Sequence, residues 1–118
     1  MLVGFCQNIS AQASFAPKEH ISFIREPKLY AKTLIPNNHQ YACLVKLWTQ
    51  ESHWNPKALN RSSGAYGIAQ FLPTTWGNYN LKKTSNAMRQ VEFGLHYIKV
   101  RYSTSCQAWQ HEQRWGWY

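Results

Sequence analysis

Between Glu51 and Trp76 the chain reads ESHWNPKALNRSSGAYGIAQFLPTTW, and the residue there best suited to chemistry is the single carboxylate, Glu51. A Trp and a Pro follow it closely, and a Gly64-Ala65-Tyr66-Gly67 turn leads into a short apolar segment carrying Gln70. Aromatic and apolar neighbours remove the water that stabilises a negative charge, so such an acid keeps its proton near neutral pH and can deliver it as a general acid. The alternative is a helix-end Glu turned out to solvent. A partner carboxylate is hard to find, because the five acids are Glu19, Glu26, Glu51, Glu92 and Glu112 and the chain has no Asp. Glu19 and Glu26 fall in a proline-bearing N-terminal stretch and Glu112 sits among polar residues near the end. Glu92 alone has a plausible face.

Glu51 needs a rigid element behind it. Tyr41, Leu44, Val45 and Trp48 follow the i, i+3, i+4, i+7 spacing of a buried helical stripe, which predicts a helix from Asn38 with Asn37 or Asn38 as its cap. Continuing that face reaches Glu51, on the core side of the last turn before Asn55-Pro56 ends the helix. A charge in that position is costly unless it is neutral or paired, which marks it as functional. Residues 57–65 are polar and turn-forming, with Gly64 and Gly67 supplying positive φ or close backbone approach.

Ile68, Ala69, Phe71 and Leu72 predict a short apolar turn of helix, and Pro73-Thr74-Thr75 starts another containing Trp76. After a loop over 78–83, Ser85 is the expected cap of a longer helix with Met88, Val91, Leu95, Ile98 and Tyr102 on one face and Glu92 at its edge. Ser103-Thr104-Ser105 breaks and recaps the chain, a last short helix holds Ala108 and Trp109, and Gly116 stops it. Residues 1–37 contain Pro17, Pro27 and Pro36 and no sustained period, so they read as an irregular arm. Its apolar pieces, residues 21–24 and Leu34-Ile35, are suited to docking as extended strands on the domain or on a partner chain. The fold class is mainly α, with an N-terminal arm over 1–37 and one domain over 38–118.

Composition narrows the function classes. The chain has 118 residues, 44% hydrophobic and 15% charged, which is too apolar for a disordered chain and fits one small globular domain. Thirteen Lys and Arg give a formal charge of +8, a field that draws the domain to anionic polymers such as nucleic acid, anionic lipid or bacterial wall. Six Trp and seven Tyr exceed what so small a core requires, and such rings stack well on sugars or bases. Trp54 and Tyr66 read as cleft wall. Cys6, Cys43 and Cys106 cannot all pair within one chain, so a Cys43–Cys106 disulfide and three free thiols both stay open. His20, His39, His53, His96 and His111 show no ligand spacing, so no metal and no cofactor are expected; His53 and His96 read as cleft-wall or surface residues. Residues 1–16 resemble a signal peptide only weakly, and no run is long enough to span a membrane.

Glu51-Ser52-His53-Trp54-Asn55-Pro56-Lys57-Ala58, followed by Gly64-Ala65-Tyr66-Gly67-Ile68-Ala69-Gln70-Phe71-Leu72-Pro73-Thr74-Thr75-Trp76, resembles the first two motifs of the soluble lytic transglycosylase catalytic domain. Gln90 through Ile98 is similar to the family's helix that brings a Tyr over the active site. The ending, through Cys106-Gln107-Ala108-Trp109 to Gly116-Trp117-Tyr118, resembles versions found in phage tail proteins and actinobacterial wall enzymes. Three ordered motifs over roughly residues 40–118 are far more specific than GAYG alone.

The resemblance implies a small lysozyme-like fold, with Glu51 as catalytic acid and then base, Gln70 lining the sugar cleft, and Tyr97 hydrogen-bonding near the reacting centre. The family often places a Ser nine residues after the Glu and three before the Gly; here Asn60 holds the first place and Arg61 the second, with one residue inserted. Ser62 or Ser63 is left for that role, contact with the substrate's N-acetyl group or with the Glu. The implied substrate is peptidoglycan, cleaved at the MurNAc-GlcNAc β-1,4 bond with closure of a 1,6-anhydro ring.

Glycoside hydrolysis by water normally uses a second carboxylate about five to ten ångströms away, and its scarcity here favours ring closure, in which the muramic N-acetyl oxygen stabilises the cation. A hydrolytic muramidase is the nearest alternative. A nucleic-acid module would gather its cations with aromatics on one face, whereas these are scattered, so no nucleic-acid partner is expected. A non-catalytic virion structural or wall-binding subunit on the same fold is the remaining alternative. The expected setting is a phage virion or an extracellular or periplasmic wall compartment, with other tail proteins as partners through the arm.

Overall fold

The computed structural model describes residues 26–118, so the leader-like start, Cys6, Glu19 and the apolar piece at 21–24 lie outside the described residues. Five helices follow in order: α1 (Pro27–Leu34), α2 (Asn38–Ser52), α3 (Pro73–Asn78), α4 (Ala87–Tyr102) and α5 (Ser105–Trp115). The molecule is mainly α, as the sequence predicts, with isolated antiparallel bridges Leu59–Tyr66 and Tyr66–Phe71 in the loop between α2 and α3.

The first correction concerns α1. Residues 27–34 were expected to be irregular, yet they form a helix begun by Pro27, whose fixed φ suits a first helical position. Ala31 is fully buried in the core, and the Tyr30 hydroxyl donates to Glu92 Oε1 on α4 at 2.6 Å. Leu34 therefore ends a helix and is not part of an extended strand. Two turns that bury one small residue leave no period to detect.

Asn37 caps α2 by accepting from the Gln40 amide at 3.0 Å. The buried face comprises Cys43, Leu44, Leu47, Trp48 and Ser52, while Tyr41 and Val45 are only half-buried. The cap of α4 is Asn86, which accepts from the Arg89 amide, one residue beyond the expected Ser85. Its buried face is also rotated: Gln90, Val91, Gly94, Tyr97 and Ile98 point inward, while Met88, Leu95 and Tyr102 are half-buried. Gly94 explains the rotation, because a Cβ there would overlap the Trp48 ring and its absence lets that ring lie against the helix. Residues 67–70 form a turn held by the bridge at Phe71, correcting the helix expected from Ile68 to Leu72.

Trp48 sits at the centre of the core, fully buried, with Trp54 edge-on at 5.1 Å. Trp54 is thus a core residue, 5% exposed, and not the cleft wall the sequence suggested. Thr104 caps α5 and Gly116 ends it in the left-handed conformation. Among the described residues no helix is long and apolar enough to cross a membrane.

A disulfide joins Cys43 on α2 to Cys106 in the first turn of α5, resolving the open cysteine pairing. It spans 63 residues of sequence, so it removes much of the unfolded chain's freedom. Replacing both cysteines with Ser is expected to lower the unfolding free energy by about 4 kcal/mol in urea titration. Unchanged midpoints would show that the bridge constrains nothing.

Candidate active site

The end of α2 is fastened to the Gly-turn by the residue after Glu51. Ser52 is buried, and its Oγ donates to Ile68 O at 2.7 Å, with Trp48 O at 3.3 Å as the alternative acceptor. From the other side Gln90, 2% exposed, accepts from Ile68 N and donates to Pro56 O and Thr84 O. Gly67 is required at that contact, since a Cβ would come within 2.7 Å of the Gln90 amide. These bonds fix Glu51 and Gln70 relative to one another. His53, Trp54 and Gln70 all adopt left-handed φ between 53° and 60°, a strained conformation for non-glycine residues that is held here by the surrounding bonds.

Glu51 opens onto a cleft of about 480 Å³ that also takes in Asn60, Ser63, Gln70, Leu72, Trp117 and Tyr118. The Gln70 amide nitrogen donates to Ala58 O and Gly67 O, which leaves its amide oxygen as an acceptor. Asn60 Oδ1 accepts from the amides of Ser62 and Ser63 and so shapes the loop in which the family's Ser was sought. Ser63 lies on the cleft, its Oγ accepting from Ala65 N, while Ser62 is exposed and not among the lining residues. Tyr66 also lies off the lining, paired with Leu59 and Phe71 and covered by the Lys83 ammonium 4.4 Å from its ring centre. Tyr97 is buried one layer back; its hydroxyl donates to Tyr118 O at 3.3 Å.

Electrostatics single out Glu51. Burial first, then a hydrogen bond to the Glu112 carboxyl and that group's charge, push the Glu51 pKa up to about 8. Glu112 on α5 is 4% exposed, and its Oε1 accepts from Gln50 Nε2 at 3.0 Å. Tyr118 closes the cleft beside the pair. Its hydroxyl accepts from Trp48 Nε1 at 2.8 Å and donates to Ala69 O at 2.9 Å, and burial, with the charge of Glu51 second, holds its pKa well above the usual phenol value.

From the sequence, Glu92 is the expected second acid. Glu92 is instead engaged by Tyr30 at 2.6 Å and Arg89 at 3.4 Å and does not line the cleft. The missed residue is Glu112, and a signal for it existed: Ser105, Ala108 and Glu112 are the buried positions of α5, at i, i+3 and i+7. Trp117 and Tyr118 were noted only as a motif ending. His39 also stands within 4.8 Å of the Cys43 and Cys106 sulfurs, an arrangement with metal-ligand reach, but in the disulfide those sulfurs are not thiolate donors.

The helical fold, with one raised carboxyl on a polar and aromatic cleft, fits a small lysozyme-like domain. The family model described as the Transglycosylase SLT domain matches residues 30–111, and the chain belongs to that family. The match begins inside α1, in keeping with that helix packing on the core. No curated protein and no solved structure matches the chain significantly. Membership brings a lytic-transglycosylase type of glycan cleavage and a peptidoglycan substrate.

The raised carboxyl has a stability consequence. Glu51 titrates near 4.5 when unfolded and about 8 when folded, so its contribution is full below pH 4.5 and is lost as pH rises through 8. Glu51→Gln does not titrate there, and its stability should gain on the wild type between about pH 5 and pH 8. The gain should be on the order of 2 kcal/mol once the cleft's access to water is discounted. Urea unfolding at both pH values measures it, and a constant difference would place the carboxyl in open water.

Proposed function

We propose that the protein is a peptidoglycan lytic transglycosylase acting on the MurNAc-GlcNAc β-1,4 bond, with Glu51 as both acid and base. The observation that carries this reading is the Glu51 carboxyl, raised to about 8 and opening on a cleft with Gln70, Ser63 and Trp117. At neutral pH Glu51 holds a proton and gives it to the glycosidic oxygen as the C1–O bond breaks. The substrate's own N-acetyl oxygen meets the developing cation. Glu51, now a carboxylate, takes the C6 hydroxyl proton while O6 bonds to C1, closing the anhydro ring and restoring the acid. No water is consumed.

The other described carboxylates support ring closure over hydrolysis. Glu26 is exposed at the head of α1, Glu92 is paired outside the cleft, and Glu112 is buried and off the cleft lining. None is offered to a water on the far face of a sugar ring, where an inverting hydrolase needs its base. Trp117, 54% exposed on the cleft, supplies an aromatic face for a sugar ring. The Cys43–Cys106 disulfide supports a setting outside a reducing cytosol, either a phage virion with tail-protein partners or an extracellular or periplasmic wall compartment.

Glu51→Gln should reduce turnover of purified sacculi about a thousandfold or more, with fold and wall binding retained. Sustained clearing by that variant would remove the mechanism. Mass spectrometry of the soluble products decides between enzymes: anhydro ends, lighter by one water, are expected, and reducing ends would mark a muramidase. Wall binding with no product from the wild type would mark a non-catalytic subunit.

A further inference from the structure

We infer that Glu112 is a positioning residue for the reaction: it shares a single proton with Glu51 across the α2–α5 contact and holds that proton on Glu51 until the glycosidic oxygen takes it. This deepens the function proposed above and rests on it. Glu112 Oε1 is satisfied by Gln50, but Oε2 is sealed from solvent and has no donor if both glutamates are ionised. A buried charged oxygen without a donor is strongly disfavoured. Gln50, which bonds Glu112, immediately precedes Glu51 on α2, and Glu112 acts on the Glu51 carboxyl both as a side-chain partner and as a charge, so a proton on Glu51 supplies the missing donor. Two carboxyls in such contact cannot both ionise easily, so the pair carries one proton and one negative charge.

Among the described residues no cation forms an ion pair with either carboxylate. From the segment after α5, Tyr118 presents a hydroxyl already bonded to Trp48 and Ala69 O. From α4 come Tyr97 and Tyr102, with the Arg101 guanidinium over their rings at 5.5 and 6.0 Å. His111 of α5 packs on Tyr102 and bonds Trp117 O through Nδ1, and Lys46 of α2 and His53 just beyond it border the separate groove beside Gln50. Burial therefore accounts for part of the raised Glu51 pKa and Glu112 for the rest, in that order.

The proton inventory closes over one turnover. When Glu51 gives its proton to the leaving oxygen, the pair becomes doubly negative, and repulsion from Glu112 makes Glu51 a stronger base. Glu51 then recovers a proton from the C6 hydroxyl as O6 bonds to C1, and the pair returns to one negative charge. Glu112 does not touch the sugar, because it is buried and does not line the cleft onto which Glu51 opens.

The test is Glu112→Gln in the full chain, followed by pH–rate profiles on purified sacculi. Gln keeps the volume and the acceptor for Gln50 but donates to an ionised Glu51 and removes the repelling charge. The alkaline limb should move about one to two pH units toward acid, with a loss of about tenfold or more near pH 8 and a much smaller loss near pH 5. Glu112→Asp, which keeps the charge, should restore part of the alkaline limb. Coincident limbs for wild type and Glu112→Gln would overturn the inference.

Carboxyl-carbon NMR titration gives a readout independent of turnover. In the wild type, Glu51 and Glu112 should report one another's ionisation, and in Glu51→Gln the Glu112 signal should lose that second inflection, even if Glu112→Gln fails to fold. Independent single-step titrations in the wild type would also overturn it. A wild type inactive on sacculi at every pH would remove the proposed function while the NMR result still decides the pair.

Discussion

The contact between α2 and α5 is the constraint on which the rest of the molecule depends. The helices run in the same direction there, because Cys43 meets Cys106 at one point and Gln50 meets Glu112 roughly two turns, about 10 Å, further along both. At the first point the tie is covalent and at the second it is polar. Between them the fully buried Leu44, Leu47, Trp48 and Ala108 exclude water. The Glu51 carboxyl sits one residue past Gln50, half-buried against this packed seam, and that burial is the largest cause of its raised pKa. An acid on an isolated helix of the same sequence would be ionised at neutral pH.

The left-handed residues flanking the carboxyl fit this picture. His53 and Trp54 turn the chain abruptly after Ser52, which sends Trp54 back under α2 to pack on Trp48 and frees the following loop to form the cleft rim. Gln70 is held in its own left-handed conformation by two bonds from its side chain to Ala58 O and Gly67 O. Each such residue costs about 1 to 3 kcal/mol and persists only where its surroundings determine it. Here those surroundings are the Ser52 and Gln90 bonds, so the strain and the two polar side chains that maintain it form one device.

Much of this was legible in the sequence. Trp48 and Glu51 share a helical face, so the inward carboxylate follows from spacing, and capping residues located α2 and α5 to within a residue or two. Other features were illegible for physical reasons. Buried Gln90 interrupts the apolar period of α4, and small Gly94 makes room for Trp48 from another helix, so the true inward face is not the most hydrophobic one. Helix α1 buries a single alanine, and a tyrosine–glutamate bond does part of the work of holding it. The turn at 67–70 is apolar like a helix but is shaped by backbone bridges that no side-chain pattern encodes. Glu112 was periodic with its neighbours but hidden by the polar residues around it, and its partner lies 61 positions away in a chain of 118.

The last point is why a small domain sets a second carboxyl, buried on α5, beside the end of α2 that carries Glu51. Replacing Glu112 with an apolar residue of similar size would be expected to stabilise the fold, because a buried negative charge is worth less than packed hydrocarbon. Glu51 would then owe its raised pKa to burial alone, and burial of a group that opens onto a cleft changes when a sugar enters or leaves. A fixed charge behind the acid does not depend on what fills the cleft. In the mechanism proposed for Glu51, it opposes ionisation in the empty site, where water would otherwise draw the proton away, and strengthens the conjugate base once the substrate has taken that proton. The arrangement gives up stability at α2–α5 for an acid whose readiness is set from inside the fold, and the disulfide at the other end of the same seam offsets the loss.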